Sequence, residues 1–183
     1  MRGINSMQTK NVSIFAKDYL KQKELQKRAF PKEEQYPFWI LRLMACRKGI
    51  DYLAHYDNDL FCGISYTSST DKMMYVLYLA VNDKIRSKGY GTLMIKHLSE
   101  MSGNKEITLN IEPLDENADN YEQRVKRMEF YERNGFRDTG HHLVDVTGEY
   151  AILSTADNFN VEDYKKAISK IGMNMYKPKI VKA

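Results

Sequence analysis

The clearest chemical signal in the chain is the run Arg86, Ser87, Lys88, Gly89, Tyr90, Gly91 and Thr92. It lies between an apolar segment ending at Val81 and a segment with Met94, Leu98 and Met101 at i, i+4 and i+7, a helical spacing. A helix start presents unpaired backbone N–H groups and partial positive charge, which suits a phosphate. Gly89 and Gly91 let the backbone approach such a group closely, and Arg86 and Lys88 add charge at the loop's mouth. A Walker loop needs Gly-Lys followed by Ser or Thr, whereas Lys88 precedes the glycine here. A dinucleotide fingerprint needs a third glycine, and Met94 stands where it would be. A glycine turn that merely starts a helix is the bland alternative. Elsewhere, Tyr121, Val125, Met128 and Tyr131 share one helical face, His141 and His142 are adjacent, and five acids follow Ile111: Glu112, Asp115, Glu116, Asp119 and Glu122. Cys46 and Cys62 have no metal-ligand spacing, so neither a zinc site nor a disulfide scaffold is indicated.

These groups need a scaffold, and 183 residues suffice for one domain with an elaboration. With 43% hydrophobic and 28% charged residues the composition is that of a globular chain. A formal charge of +4 favours an anionic ligand but does not mark a nucleic-acid binder. The longest uncharged apolar run, residues 73–81, falls far short of the ~18 residues of a membrane span. No signal segment opens the chain, and two thiols suit the reducing cytosol, so a soluble cytoplasmic protein is expected.

The pattern predicts fraying over residues 1–12, a helix over 13–29 capped by Ser13, and a short helix after Pro37. Three antiparallel strands follow at 50–56, 60–66 and 73–81, the first two joined by Asp57, Asn58 and Asp59. After the glycine-rich helix come a strand at 107–111 and a helix opened by a capping box of Asn120 and Gln123. Asn134 and Gly135 stop that helix, a hairpin at 143–146 and 150–153 follows, and a helix over 161–171 ends the predicted elements before a Lys-rich tail. This is an α/β order around a single, mostly antiparallel mixed sheet flanked by helices.

The stretch from Leu77 to Gly91 closely resembles the coenzyme-A segment of the GNAT superfamily of N-acetyltransferases: a strand ending in Val, a short loop, then Arg/Gln-x-x-Gly-x-Gly/Ala. Some 40 residues on, Phe130, Tyr131, Glu132, Arg133, Asn134, Gly135 and Phe136 resemble the family's second signature, aromatic-Tyr-x-x-x-Gly-Phe. The resemblance covers residues 10–154, leaving 155–183 as a helical extension with a basic tail.

It implies a GNAT-like fold whose splayed central strands bind coenzyme A. Leu79, Ala80 and Val81 would pair with the pantetheine arm as if it were a strand. Residues 87–92 with Arg86 would hold the pyrophosphate, and Arg133 would reach the nucleotide end. Tyr131 matches the position that hydrogen-bonds the coenzyme sulfur. A core tyrosine is the plain alternative. Family members often carry Asn-x-x-Ala before that tyrosine, where this chain has Arg124 and Arg127.

The implied activity is direct acetyl transfer in a ternary complex from acetyl-CoA, a cosubstrate, to a primary amine, with no metal. Val81 N–H is the candidate oxyanion donor. Tyr131, at an ordinary tyrosine pKa near ~10, would protonate the departing thiolate. Glu112, just past the strand at 107–111, leads as general base, with His141 and His142 behind it. The acidic stretch is expected either to attract a protonated amine or to be a solvated loop. The acceptor is a small-molecule or peptide amine; a homodimer is compatible with the reading, and neither nucleic acid nor membrane is expected as a partner. A non-catalytic coenzyme A-binding regulator is the alternative function. A nucleic-acid binder using the basic N-terminal helix and tail is a third, opposed by the modest charge and the lack of interleaved aromatic and basic residues.

Overall fold

A computed structural model describes residues 7–85, 88–172 and 178–183. The three-strand prediction is met by β2 (Ile50–Asp57), β3 (Leu60–Ser69) and β4 (Met73–Val81). Asn58 takes φ 53° in the β2–β3 turn, a left-handed conformation that Asn tolerates better than most residues. Within the stretch expected to fray, of which residues 1–6 lie outside the described residues, β1 (Gln8–Asn11) pairs antiparallel with β2, Gln8 opposite Tyr56. The first helix, α1 (Tyr19–Ala29), starts later than expected. Ser13 does not cap it, because its Oγ accepts the Phe15 N–H in a preceding turn. The helix after Pro37, α2 (Phe38–Met44), is short, as predicted.

The remaining elements are α3 (Tyr90–Ser102), β5 (Glu106–Ile111), α4 (Tyr121–Arg133), β6 (Arg137–Asp145), β7 (Gly148–Ser154), α5 (Val161–Ile171) and β8 (Lys179–Lys182). Asn120 precedes α4 but makes no capping hydrogen bond. The sequence pattern assigns no element to the Lys-rich tail, yet β8 pairs antiparallel with β6 through Lys179↔Val144 to Lys182↔His141. The eight strands follow the order β1-β2-β3-β4-β5-β7-β6-β8, a mixed sheet with helices on it.

The chain forms two compact units. The first holds Met1–Ser68 and Leu77–Gly103, the second Ser69–Val76 and Asn104–Ala183, so β4 contributes a half to each. In the first unit one sheet face carries Tyr52, Ala54, Ile64 and Tyr66, all buried. Buried polar groups must be paired to offset lost hydration, and these hydroxyls are spent on α1 and α2. Tyr52 donates to Gln26 Oε1 at 2.9 Å, and Tyr66 donates to the Leu41 carbonyl at 3.2 Å. Tyr78 donates to the Glu34 carbonyl and accepts the Tyr36 N–H at 3.1 Å, fixing the connection between those helices. The opposite face packs on Met94, Ile95 and Leu98 of α3. There His55 and Ser65 hydrogen-bond at 2.7 Å, and burial pushes the His55 pKa down to about 3, so that ring stays neutral.

In the second unit β4 and β5 run parallel over Met73↔Glu106 to Val76↔Leu109. Antiparallel β5–β7 and β6–β7 ladders extend the sheet. Tyr164, Ala167, Ile168 and Ile171 make one buried face of α5, the i, i+3, i+4, i+7 stripe of an amphipathic helix. Tyr164 donates to Asn110 Oδ1 at 2.7 Å, and Asn110 Nδ2 donates to Tyr75 at 3.2 Å.

Candidate functional site

In the first unit the candidate coenzyme residues other than Arg133 lie in the last three positions of β4 and just past it. Leu79 and Val81 are half-buried and Ala80 is buried. Asn82 ends the strand with two bonds back to β3, its N–H to the Cys62 carbonyl at 2.8 Å and its Nδ2 to the Phe61 carbonyl at 2.9 Å. Its Oδ1 accepts the Lys84 N–H at 3.2 Å, starting a single tight turn at Asp83–Ile85. Arg28 of α1 holds that turn through Asp83 at 2.8 Å. Arg86 and Ser87, expected at the pyrophosphate, lie outside the described residues.

Gly89 takes φ 79°, ψ 2° immediately before α3, a left-handed conformation that costs other residues roughly 1–2 kcal/mol. A Cβ built there meets none of the described residues within 4 Å. The Gly89 carbonyl accepts the Leu93 N–H at 3.1 Å, the first turn of α3. Helix geometry leaves the amides of Tyr90, Gly91 and Thr92 without carbonyls one turn back. Among the described residues no side chain caps this end. Lys88 is exposed beside it. The Tyr90 hydroxyl is used elsewhere, donating to Asp57 Oδ2 at 3.0 Å and tying the start of α3 to the β2–β3 turn. Glycine freedom, helix-start amides and a lysine are groups that can receive an anion.

In the second unit Tyr131 is the one buried residue of α4, 9% exposed, with its ring against Phe130 and Phe136. Burial pushes its pKa up to about 12 against the pull of the Arg127 charge, above the ordinary value expected from sequence. The hydroxyl therefore keeps its proton throughout the physiological range. Arg133 is exposed and pairs with Glu129 at 3.5 Å, one turn back.

Glu112 is not the open carboxylate that its sequence context suggested. It lies 2.6 Å from Arg127 Nη1 and 3.4 Å from Arg124 Nη2, and it accepts from Asn120 Nδ2 at 3.1 Å. Burial raises its proton affinity, but Asn120 and the two arginines outweigh that and hold its pKa below the usual value. Asn120 Oδ1 also accepts from Arg124 Nε at 2.8 Å, which explains why Asn120 does not cap α4. The arginines that depart from the family pattern are thus the partners of Glu112. Their charges at i and i+3 on one helix face were the available signal. The acidic stretch is also less negative than its sequence, since Lys126 faces Glu122 at 3.7 Å.

His142 and His141 differ in setting. His142 Nδ1 is 2.5 Å from Glu149 Oε1, with the imidazole 15% exposed. His141 Nδ1 is 2.9 Å from the Thr139 carbonyl, and its ring packs on Phe159. Among the described residues no group of three His, Cys, Asp or Glu side chains could hold a metal ion. No described helix is long and apolar enough to cross a membrane.

Residues 48–138 match the family model of the acetyltransferase (GNAT) domain. No curated protein sequence matches the chain. Among solved structures, a putative GNAT-family acetyltransferase from Bacteroides thetaiotaomicron is 25% identical, with TM-score 0.69 over 87% of this chain and 92% of that one. Arabidopsis thaliana Naa50, in complex with the bisubstrate analogue CoA-Ac-MVNAL, shares the fold at 19% identity and TM-score 0.59, over 83% and 99% of the two chains. An aminoglycoside 6'-N-acetyltransferase complexed with coenzyme A does so at 16% identity and TM-score 0.59, over 83% and 99%.

Proposed function

The chain belongs to the GNAT acetyltransferases, and from that premise we propose that it moves an acetyl group from acetyl-CoA to a primary amine by direct transfer. The observation that carries this reading is the start of α3, where Gly89 at φ 79° opens bare helix amides to an anion. Amides of residues 87–92, with Arg86 and Lys88, hold the pyrophosphate, and Arg133 reaches the nucleotide end. The backbone of Leu79, Ala80 and Val81 takes the pantetheine arm as an added strand. Two of the fold's relatives are named as complexes with coenzyme A or a coenzyme A conjugate, in keeping with this assignment.

In the reaction the neutral amine nitrogen attacks the thioester carbonyl carbon. The C–N bond forms, the C–S bond breaks, and sulfur leaves with the electron pair. Val81 N–H stabilises the oxygen that gains charge, and holding both reactants in place supplies much of the rate. Tyr131 donates its hydroxyl to the departing sulfur. At a pKa near 12 it gives up its proton less readily than an ordinary tyrosine, so its hydrogen bond carries more of the effect than complete transfer.

For the proton leaving the amine, the geometry favours His142 over Glu112. Glu149 holds His142 Nδ1, which leaves Nε2 as the basic atom, whereas two guanidiniums lower the basicity of Glu112. Glu112 instead positions α4, the helix that carries Tyr131. The acceptor is a small-molecule or peptide amine. Incubation with acetyl-CoA and a panel of aliphatic amines, aminoglycosides and peptides, read as free thiol release, tests the proposal. Amine-dependent release is expected. Coenzyme binding without release for any amine would leave a binding protein, not an enzyme.

A further inference from the structure

Gly63, buried in β3, sits beside the irregularity where the register passes from His55↔Gly63 to Tyr56↔Phe61, and it has no positive φ. Backbone freedom therefore does not explain a glycine here. Space does. A Cβ at this position would lie 2.3 Å from the Ala80 carbonyl oxygen and 2.8 and 2.9 Å from Sδ and Cε of Met94. The Ala80 carbonyl thus occupies the place of the missing side chain, leaning out of the sheet toward the face that α3 covers. In a regular ladder it would lie close to the sheet plane and point at a neighbouring strand.

A trans peptide is planar, so its N–H points opposite to its carbonyl, and the described chain has no cis bond. The Val81 N–H therefore leans to the other face, the one lined by Tyr52 and Tyr66 and covered by α1 and α2. One residue later Asn82 restores pairing with β3 through the Cys62 and Phe61 carbonyls. Asn82 thus closes the tilted stretch on its C-terminal side, with Gly63 beneath the Ala80 carbonyl.

We propose that Gly63 is a positioning residue: its missing side chain lets the Ala80–Val81 peptide rotate and aims the Val81 N–H at the thioester oxygen of the bound acetyl donor. The proposal rests on the acetyl-transfer reading above and names the device that sets its oxyanion donor. Packing of Met94 alone is the competing explanation. The two differ because Met94 ends in a flexible thioether that can move aside, whereas the carbonyl can retreat only by turning the peptide back. To reach ordinary contact it must move about 1 Å, a displacement that can cost a reaction about 10²-fold.

The test is Gly63→Ala in the full chain, alone and with Met94→Ala, with kcat and coenzyme A affinity measured separately. The expected result is a kcat lower by about 10²-fold, with the coenzyme Kd within about threefold, in both variants. Recovery of kcat by Met94→Ala, wild-type kcat in folded Gly63→Ala, or a loss of affinity matching the loss of kcat would overturn the proposal. If Gly63→Ala does not fold, replacing the Val81 amide by an ester in the wild-type background removes the donor without adding a side chain. The same fall in kcat is then expected, and unchanged turnover would overturn the proposal. An amide resonance needs only binding, so it separates this idea from the acetyl-transfer reading. In wild type the Val81 N–H proton should shift on addition of acetyl-CoA and less so with free coenzyme A. Equal shifts would overturn the assignment even if no amine were acetylated.

Discussion

Glu112→Gln separates an anchor from a base. Glutamine preserves size and one carbonyl oxygen, but it removes the charge lying 2.6 Å from Arg127 and 3.4 Å from Arg124. Two guanidiniums are then left facing an amide. The Glu112 and Arg124 side chains are 28% and 18% exposed, so the pair lies between a surface bridge at ~0–1 kcal/mol and a buried one at ~3–5 kcal/mol. A loss of about 1–2 kcal/mol follows, which in a chain of this size lowers Tm by roughly 2–8 °C. The pKa of Glu112 is depressed by folding, so its stabilisation is complete above the unfolded value near ~4.3 and disappears as pH falls through the folded value. Thermal unfolding of wild type and variant from pH 8 to pH 3.5 should therefore show a constant gap down to about pH 5 that closes below about pH 4. In the same preparations kcat should stay within about threefold of wild type. A kcat lower by about 10²-fold that recovers with rising pH, at unchanged Tm, would refute the reasoning and return Glu112 to the role of base.

Tyr131→Phe should lower kcat by about 10²-fold while coenzyme affinity changes little, measured by steady-state kinetics beside calorimetry. Wild-type turnover would make Tyr131 a packing residue. Because burial places the Tyr131 pKa at about 12, the pH profile of kcat should show no descending limb from this group up to pH 10, and one that Tyr131→Phe abolishes would contradict the assignment. His142→Gln should lower kcat near neutral pH and lower it less as free amine accumulates at high pH; a pH-independent change would mean that the His142–Glu149 pair only braces β6 and β7.

The strands β2, β3 and β4 were legible because β-branched and aromatic residues run between strong turn residues. Helix α5 was legible because its apolar stripe lies between Asn160 and Gly172. β1 and β8 were not: four-residue strands with mostly polar sequences, Gln8–Asn11 and Lys179–Lys182, are specified by the edge they pair with, not by their own pattern. The anchoring of Glu112 was hidden for a similar reason. Its partners lie 12 and 15 positions away, and only the approach of α4 to the end of β5 unites them. Gly63 gave no motif at all, since its significance is a carbonyl on the neighbouring strand. By contrast, the α3 loop was read from local spacing, because a glycine before a helix acts through the backbone of its own segment.

The central claim is that the bare amides at the start of α3 hold the coenzyme pyrophosphate, and calorimetric titration of coenzyme A into wild type and Gly89→Val tests it most directly. At φ 79° a Cβ meets none of the described residues within 4 Å, so a valine there carries backbone strain of roughly 1–2 kcal/mol and projects its branched side chain into the space a phosphate needs. Binding to wild type is expected, with affinity at least about tenfold weaker in a variant that still unfolds cooperatively. No binding to wild type, or equal affinity in the folded variant, would contradict it.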